Sequence, residues 1–442
     1  MRRINRRKML KLSGAGTLAA GGGLAGILAS GRAPAFAQGT ALHWLKFVDF
    51  VPVSDQLLKG RVKEECQKAL GISLTIETIN GDGVQARITS AIQSKTGPDV
   101  MMAVSNWAQL YAESLVDVSD IADEAGKALG GYYDTAHAVA NDGKKWIAMP
   151  FTILGVLFAN RTSWFAEEGI TPDTFPKTWE EYRAAGIKLK AKKRPLGQTL
   201  AHAFGDGPAF WYPYLWSWGG KEVEADGKTV VLNSKETIES VKFAVGFWKD
   251  AFDEGGMSWD DAGNNRALLA NTISSTSNGA SIYLLARSKP DTYASEKGTP
   301  IKDDIFHSPL PRGPAGQFSY HVPFSNLIPA YGKNQKAAKD FLRWFHSKEV
   351  YDTWFTSQQG FSVGATKAWE NHKLWNEDPV MAPFRTAAES GRFAGYAGPA
   401  GRAAAETISK FIIVDMYAKA VQGMAPEEAV KWAHSELLKI YA

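Results

Sequence analysis

The 442 residues contain one cysteine, Cys66. An intramolecular disulfide is therefore impossible, and a Cys-rich zinc site or an iron–sulfur cluster within the chain is excluded. Cys66 falls in a stretch with helical spacing, Gln56 to Leu70, where it reads as a small core residue. Histidine is also sparse. The eight stand at 43, 137, 202, 307, 321, 346, 372 and 434, none in a His-Glu-x-x-His or other metal spacing. There is no Gly-x-Ser-x-Gly elbow and no phosphate loop. Beyond residue 37 no run is long and apolar enough to span a bilayer, which takes about 20 apolar residues. Acid is missing from residues 1–37, which hold Arg2, Arg3, Arg6, Arg7, Lys8, Lys11 and Arg32. The whole chain is formally +4, so the part after this +7 segment is −3. It has no net basic charge with which to displace counterions, and a nucleic-acid partner is not expected.

The basic N-terminus, the uncharged stretch Leu12 to Ser30 and the small-residue pattern Ala35-Phe36-Ala37 read as an export signal over 1–37. Asn5-Arg6-Arg7-Lys8-Met9-Leu10-Lys11 resembles the twin-arginine motif Ser/Thr-Arg-Arg-x-Phe-Leu-Lys, with departures at Asn5 and Met9. No cysteine sits near the cleavage pattern for a lipid anchor. The mature chain is expected to begin at Gln38 and to be soluble in the periplasm. Its length exceeds the roughly 250–300 residues at which a single core stops growing, so two domains are expected.

Strand and helix patterns alternate after residue 40: Leu42 to Val48, Gln56 to Leu70, Ile72 to Ile79, Val84 to Lys95, Val100 to Val104. This order predicts an α/β fold with a parallel sheet flanked by helices. Ligands on such sheets bind beyond the carboxyl ends of the strands. Asp49, Asp82 and the turn Ser105-Asn106-Trp107 would share that rim. Helices are predicted over Glu180 to Lys192 and Thr237 to Glu254, with turns at Gly205-Asp206-Gly207-Pro208 and Gly219-Gly220. Ile305 to Leu310 and Asn326 to Ala330 read as strands, and Ala337 to Phe345 as a helix. Gly391 to Gly401 reads as a loop.

Two patterns mimic chemistry. Gly81-Asp82-Gly83-Val84-Gln85-Ala86 has the local context of a dinucleotide fingerprint, but the next strand ends without an acid and Asp82 sits where a pyrophosphate would. It reads as a strand-to-helix turn. The pairs Glu64-Glu65, Glu167-Glu168, Asp260-Asp261, Asp303-Asp304 and Glu427-Glu428 read as solvated surface, because sequence neighbours on a helix point apart. Tyr132-Tyr133 reads as packing rather than an iron site. The positive signal is aromatic: 12% of residues, with 15 Trp. Trp107, Trp211-Tyr212, Trp216 and Trp218 lie in predicted turns. Flat rings there match the apolar faces of sugars, while Asp and Asn match their edges; most of the others fill cores.

Three stretches carry a family resemblance. They are Gly97-Pro98-Asp99-Val100; Lys145 to Pro150 with Leu157-Phe158-Ala159-Asn160 and Phe175 to Tyr182; and Asn326-Leu327-Ile328-Pro329 followed by Lys336 to Leu342. On these the chain resembles the family 1 extracellular solute-binding proteins of ABC importers, the maltose- and sugar-binding group. The resemblance implies two α/β lobes, each a mainly parallel sheet flanked by helices, with hinge crossings near Pro150, Pro309 and Gly360. The first lobe would comprise 38–149 and 308–358, and the second 150–307 and 359–442. It implies ligand contacts at Asp49, Asn106, Phe151, Phe210, Trp211 and Phe324. Asn278-Gly279-Ala280-Ser281 stands where the family often has Asn-Gly-Pro-Trp. Tyr396 and Arg402 fall where sugar binders carry an aromatic platform; an Arg there signals an acidic sugar or a structural ion pair. The implied function is capture of a sugar or oligosaccharide for a membrane permease, by a monomer with no catalytic residue, metal or cofactor. The open alternatives are an exported carbohydrate-active or cofactor enzyme, and a binder of a non-sugar solute such as a polyamine.

Overall fold

The computed structural model describes residues 40–389 and 391–442. The export signal expected over 1–37 lies outside them. In chain order the strands are β1 (Ala41–Phe47), β2 (Ser73–Ile79), β3 (Val100–Val104), β4 (Met149–Leu154), β5 (Leu157–Arg161), β6 (Ser275–Asn278), β7 (Ile305–Ser308), β8 (Ser319–Tyr320), β9 (Val322–Leu327) and β10 (Gly391–Arg392). A five-stranded sheet has the order β2-β1-β3-β9-β4. Within it β1 runs parallel to β2 and β3, and β9 is antiparallel to both its neighbours. The continuous apolar run of β3 is buried along its whole length, as expected for an interior strand covered on both faces. Trp44 on β1 is fully buried against Phe341 and Phe345, with ring centroids 5.5 and 5.8 Å away. Both phenylalanines lie on the helix Gln335–Phe345, whose buried residues Ala338, Phe341, Leu342 and Phe345 follow the 3–4 spacing of one helix face.

The second sheet has the order β6-β5-β7. It is antiparallel throughout, where a mainly parallel sheet was expected. The long helical excursions before β6 and β7 bring the chain back to the far end of β5, so both strands run against it. Helix Trp179–Ala191 covers this sheet, and its start is locked by a capping box between Thr178 and Glu181.

The chain passes from the first sheet to the second at Gly155-Val156; Pro150 lies inside β4. It returns between β7 and β9. Beyond Gly360 the chain still runs along the first sheet, where Val363 donates to the Ile153 carbonyl at 2.9 Å. Residues Gly205 to Pro208, expected as a turn, open the helix Asp206–Trp218. Pro208 costs no hydrogen bond there, because first-turn N–H groups have no partner within the helix. That helix is buried on nearly every side, so it shows no amphipathic period to read. Cys66 is buried, and burial pushes its thiol up to about 11. Among the described residues no helix is long and apolar enough to cross a membrane.

Candidate functional site

A small cavity of about 40 Å³ opens where the two sheets meet. Phe47 closes β1, and Phe324 beside it on β9 has its ring centroid 5.1 Å away. Phe50 and Phe361 stand 6.1 Å apart at the same end. Across from them Phe204 reaches over from the second lobe to within 6.2 Å of the Phe47 ring. Its approach needs Gly81: a Cβ there would lie 2.2 Å from the Phe204 ring. The first glycine of the apparent dinucleotide motif therefore serves a contact between lobes.

The second lobe supplies the polar groups, Asp206, Asp261, Asn278 and Ser281. Asp261 Oδ1 accepts the N–H groups of Gly205 and Asp206 at 2.9 and 2.8 Å, capping the start of the helix Asp206–Trp218. Asp206 Oδ2 is buried and has no hydrogen-bond partner. Burial and the neighbouring carboxylate hold Asp206 well above the usual carboxyl range. Burial pushes Asp261 up to about 7 against the pull of its two N–H donors. Asn278 donates to Asn265 Oδ1 at 2.5 Å and accepts from Ser281 Oγ at 3.1 Å.

Of the expected contact residues, the cavity brings together Asn278 and Phe324. Asp49 is held in a polar knot beside it, accepting from the Val51 N–H and from Gln358 at 2.9 Å each, and burial raises its carboxyl. Asp82 is exposed in the first turn of the helix Gly81–Ser94. Partial burial raises its carboxyl, with the charge of Asp260 adding. Phe151 is buried in the first lobe, 4.4 Å from the Trp354 ring. Phe210 and Trp211 point into the second lobe's core. Trp211 stacks on Tyr417 at 4.6 Å and donates to the Thr199 carbonyl at 2.9 Å. They lie on a helix, not in the predicted turn, and its all-round burial turns both rings inward. Tyr396 packs edge-on against Trp216, with the Arg392 guanidinium 4.0 Å from its ring centroid.

Trp107 is buried, its ring 6.5 Å from Phe204. Asn106 is also buried; its Nδ2 donates to the Ala400 carbonyl at 3.4 Å while Oδ1 has no partner. Arg402 opens the helix Arg402–Ser409 and donates to the Leu110 carbonyl at 2.7 Å. Gln85 donates to Ser409 at 2.7 Å. These three bonds clasp that helix and the loop before it to the first lobe.

The residues that sequence reasoning missed are Phe47, Phe50, Phe204, Asp206 and Asp261. Two of the acid pairs assigned to solvated surface each turn one member inward. Asp261 does so at the cavity, and Asp304 pairs with the buried Arg161 at 2.8 Å. Their partners stay near the surface: Asp260 binds Arg266 and Asp303 binds Lys302, each at 2.6 Å. Asp206 and Asp261 then converge across a long sequence separation that no local pattern marks.

The profile of the family described as "Bacterial extracellular solute-binding protein" matches residues 61–383. A curated Sinorhizobium fredii protein, "Probable amino-acid ABC transporter periplasmic-binding protein", is 23% identical over 214 residues; the match covers 47% of this chain and 45% of that protein. An ABC transporter solute-binding protein from Thermotoga lettingae, bound with alpha-D-tagatose, superposes with a TM-score of 0.77 at 20% identity, covering 91% of this chain and 100% of that one. Maltose-bound MalE3 of T. maritima gives 0.75 at 19% identity, covering 90% and 99%. These likenesses show the two-lobed periplasmic-binding-protein fold. With the profile matched over most of its length, the chain belongs to the bacterial extracellular solute-binding protein family.

Proposed function

We propose that the protein captures a small polar solute, of the sugar or polyol class, between its lobes and hands it to the membrane permease of an ABC importer. The observation that carries this reading is the double origin of the cavity wall. Phe47, Phe50 and Phe324 come from one lobe, and Phe204, Asp206 and Asn278 from the other. A ligand touching both walls binds the closed form better than the open one and shifts the population toward it. The permease would read that closed form. The tagatose and maltose in the two related structures support the ligand class. The work needs no catalytic residue, metal or cofactor. The reading includes cleavage of an export signal after Ala37, passage by the twin-arginine route, and action as a periplasmic monomer.

The test is small-angle scattering with a thermal-shift screen of sugars and polyols. A bound solute should raise the melting temperature and reduce the radius of gyration. Turnover of a candidate sugar by the purified protein would instead favour an enzyme.

A further inference from the structure

Resting on that reading, we infer that the solute carries a protonated amine, an organic ammonium head seated between the phenylalanine rings and the Asp206–Asp261 carboxyls. The argument begins with the charges on the wall. The lining has two carboxyl groups and no Lys, Arg or His. The bases in the neighbourhood are engaged elsewhere. Lys46 donates to Asp55 at 2.5 Å and to the Phe47 carbonyl at 3.0 Å. Arg266 is paired with Asp260, and Arg402 with the Leu110 carbonyl.

Donor supply points the same way. A sugar hydroxyl both donates and accepts, so a site for it offers both kinds of group. The side-chain donors of the wall are largely engaged: one N–H of Asn278 Nδ2 goes to Asn265, and Ser281 Oγ donates to Asn278. What stays free is the buried Asp206 Oδ2, an acceptor once the carboxyl is ionised. Left unmet, a buried acceptor is costly, and a donor arriving with the ligand removes that cost. An ammonium group is donor-only and meets the Asp206–Asp261 pair as an acceptor once the pair gives up its proton.

The rings complete the fit. Five phenylalanines, at 47, 50, 204, 324 and 361, line the same cavity. Aromatic faces attract a cation through their quadrupole, most strongly where water is excluded. The same faces can lie against the apolar face of a sugar ring, so the rings suit a solute of that class that also carries an amine.

Proton uptake offers a second signature. Burial keeps the Asp206–Asp261 pair partly protonated near neutral pH. The charged groups around the pair are Asp82, Asp260 and Arg266, the last spent on Asp260; His202 is turned to Asp415 at 2.8 Å. An ammonium ion favours the ionised pair, so its binding should release protons and tighten as pH rises from 6 to 8.

The test is calorimetric titration with three ammonium probes, each beside a neutral analogue: choline with 3,3-dimethylbutan-1-ol, putrescine with butane-1,4-diol, and glucosamine with glucose. Titrations run in two buffers of different ionisation enthalpy. At least one ammonium probe should bind more than about tenfold tighter than its analogue, about 1.4 kcal/mol, with net proton release. Asp206→Asn should erase both the preference and the release. Asp261→Asn, which keeps the capping oxygen, should reduce the release and guards against a misfolded first variant. Saturable binding of glucose or the diols with no ammonium advantage overturns the inference and leaves the solute-binding reading standing. If neither these probes nor the sugar and polyol screen produces binding, and the radius of gyration never changes, both fall.

Discussion

The two lobes face their shared cavity with opposite chemistry. The first contributes rings and aliphatic groups: Phe47 at the end of β1, Phe50 just beyond it, Val322 and Phe324 on β9, and Leu154 at the end of β4. The second contributes Phe204 and every polar side chain of the wall. The difference follows from the strands. β3 is a continuous apolar run, and β1 ends in Phe47 with Lys46 turned to Asp55, so the side chains they bring to the cavity are apolar. β6 reads Ser-Thr-Ser-Asn and is buried throughout. A strand of that composition is tolerated inside because most of its side chains are bonded, Ser275 to Asn160 at 2.6 Å, Thr276 to Gln198 at 3.3 Å and Asn278 to Asn265 at 2.5 Å, while the Ser277 hydroxyl has no partner. One lobe thus offers contact area and the other direction and charge. A solute gets both only when the lobes meet, which is how binding energy becomes closure.

The contrast concerns walls and not interiors, and the largest expected effect tests that. The second lobe is rich in aromatics, but they are internal: Trp211 is 1% exposed. Trp211→Ala should lower stability by about 3–5 kcal/mol and leave affinity within about threefold when measured well below the melting temperature. Denaturant melts and titrations on the same preparation separate the two effects. Lost affinity with stability intact would add a second aromatic, beside Phe204, to the second wall and weaken the contrast.

The next effect sharpens the charge on the second wall. Asp261 has its folded pKa raised to about 7, so the native protein binds its proton more tightly than the unfolded chain. Its contribution favours folding below the unfolded value near pH 4 and is lost as pH rises through about 7. Asp261→Asn removes that dependence. The stability of the variant relative to wild type should rise by roughly 2–3 kcal/mol between pH 5 and pH 8. Melts at the two pH values decide it, and a constant difference would mean that Asp261 is ionised throughout.

The smallest effect belongs to the first wall. Phe50 is only half-buried, with its ring at the cavity. Phe50→Ala should weaken solute binding by about tenfold, or about 1.4 kcal/mol, with less than about 1 kcal/mol lost from stability. A fall in stability without a fall in affinity would make that wall mere packing.

Much of the frame was legible before any tertiary contact was known. Val100–Val104 was read with its boundaries intact. The readings at Leu42 to Val48 and Glu180 to Lys192 match β1 and the helix Trp179–Ala191 to within a residue. The strand expected over Asn326 to Ala330 is displaced in the structure to β9, because Pro323 within it discourages a strand reading. That proline pairs with Ile153 of β4, one residue beyond the register shift between Pro150 and Thr152. At the site the legible parts were Asn278 and Phe324, which adjoin the family's motif stretches. The tryptophans misled because composition counts rings without saying which way they face.

What the sequence determined by itself was local: the alternation of strand and helix, the capping at Thr178, and the family-bearing stretches. Those depend on neighbours a few residues apart, and the periods of side-chain direction are fixed by backbone geometry. Only the tertiary structure decided which residues line the cavity. Phe47 meets Phe324, Gly81 yields to Phe204, and Asp261 caps the helix that begins at Asp206. These contacts span from tens to hundreds of residues of chain. Each adds little alone, so they form only when the packing of the two sheets has already brought their ends together.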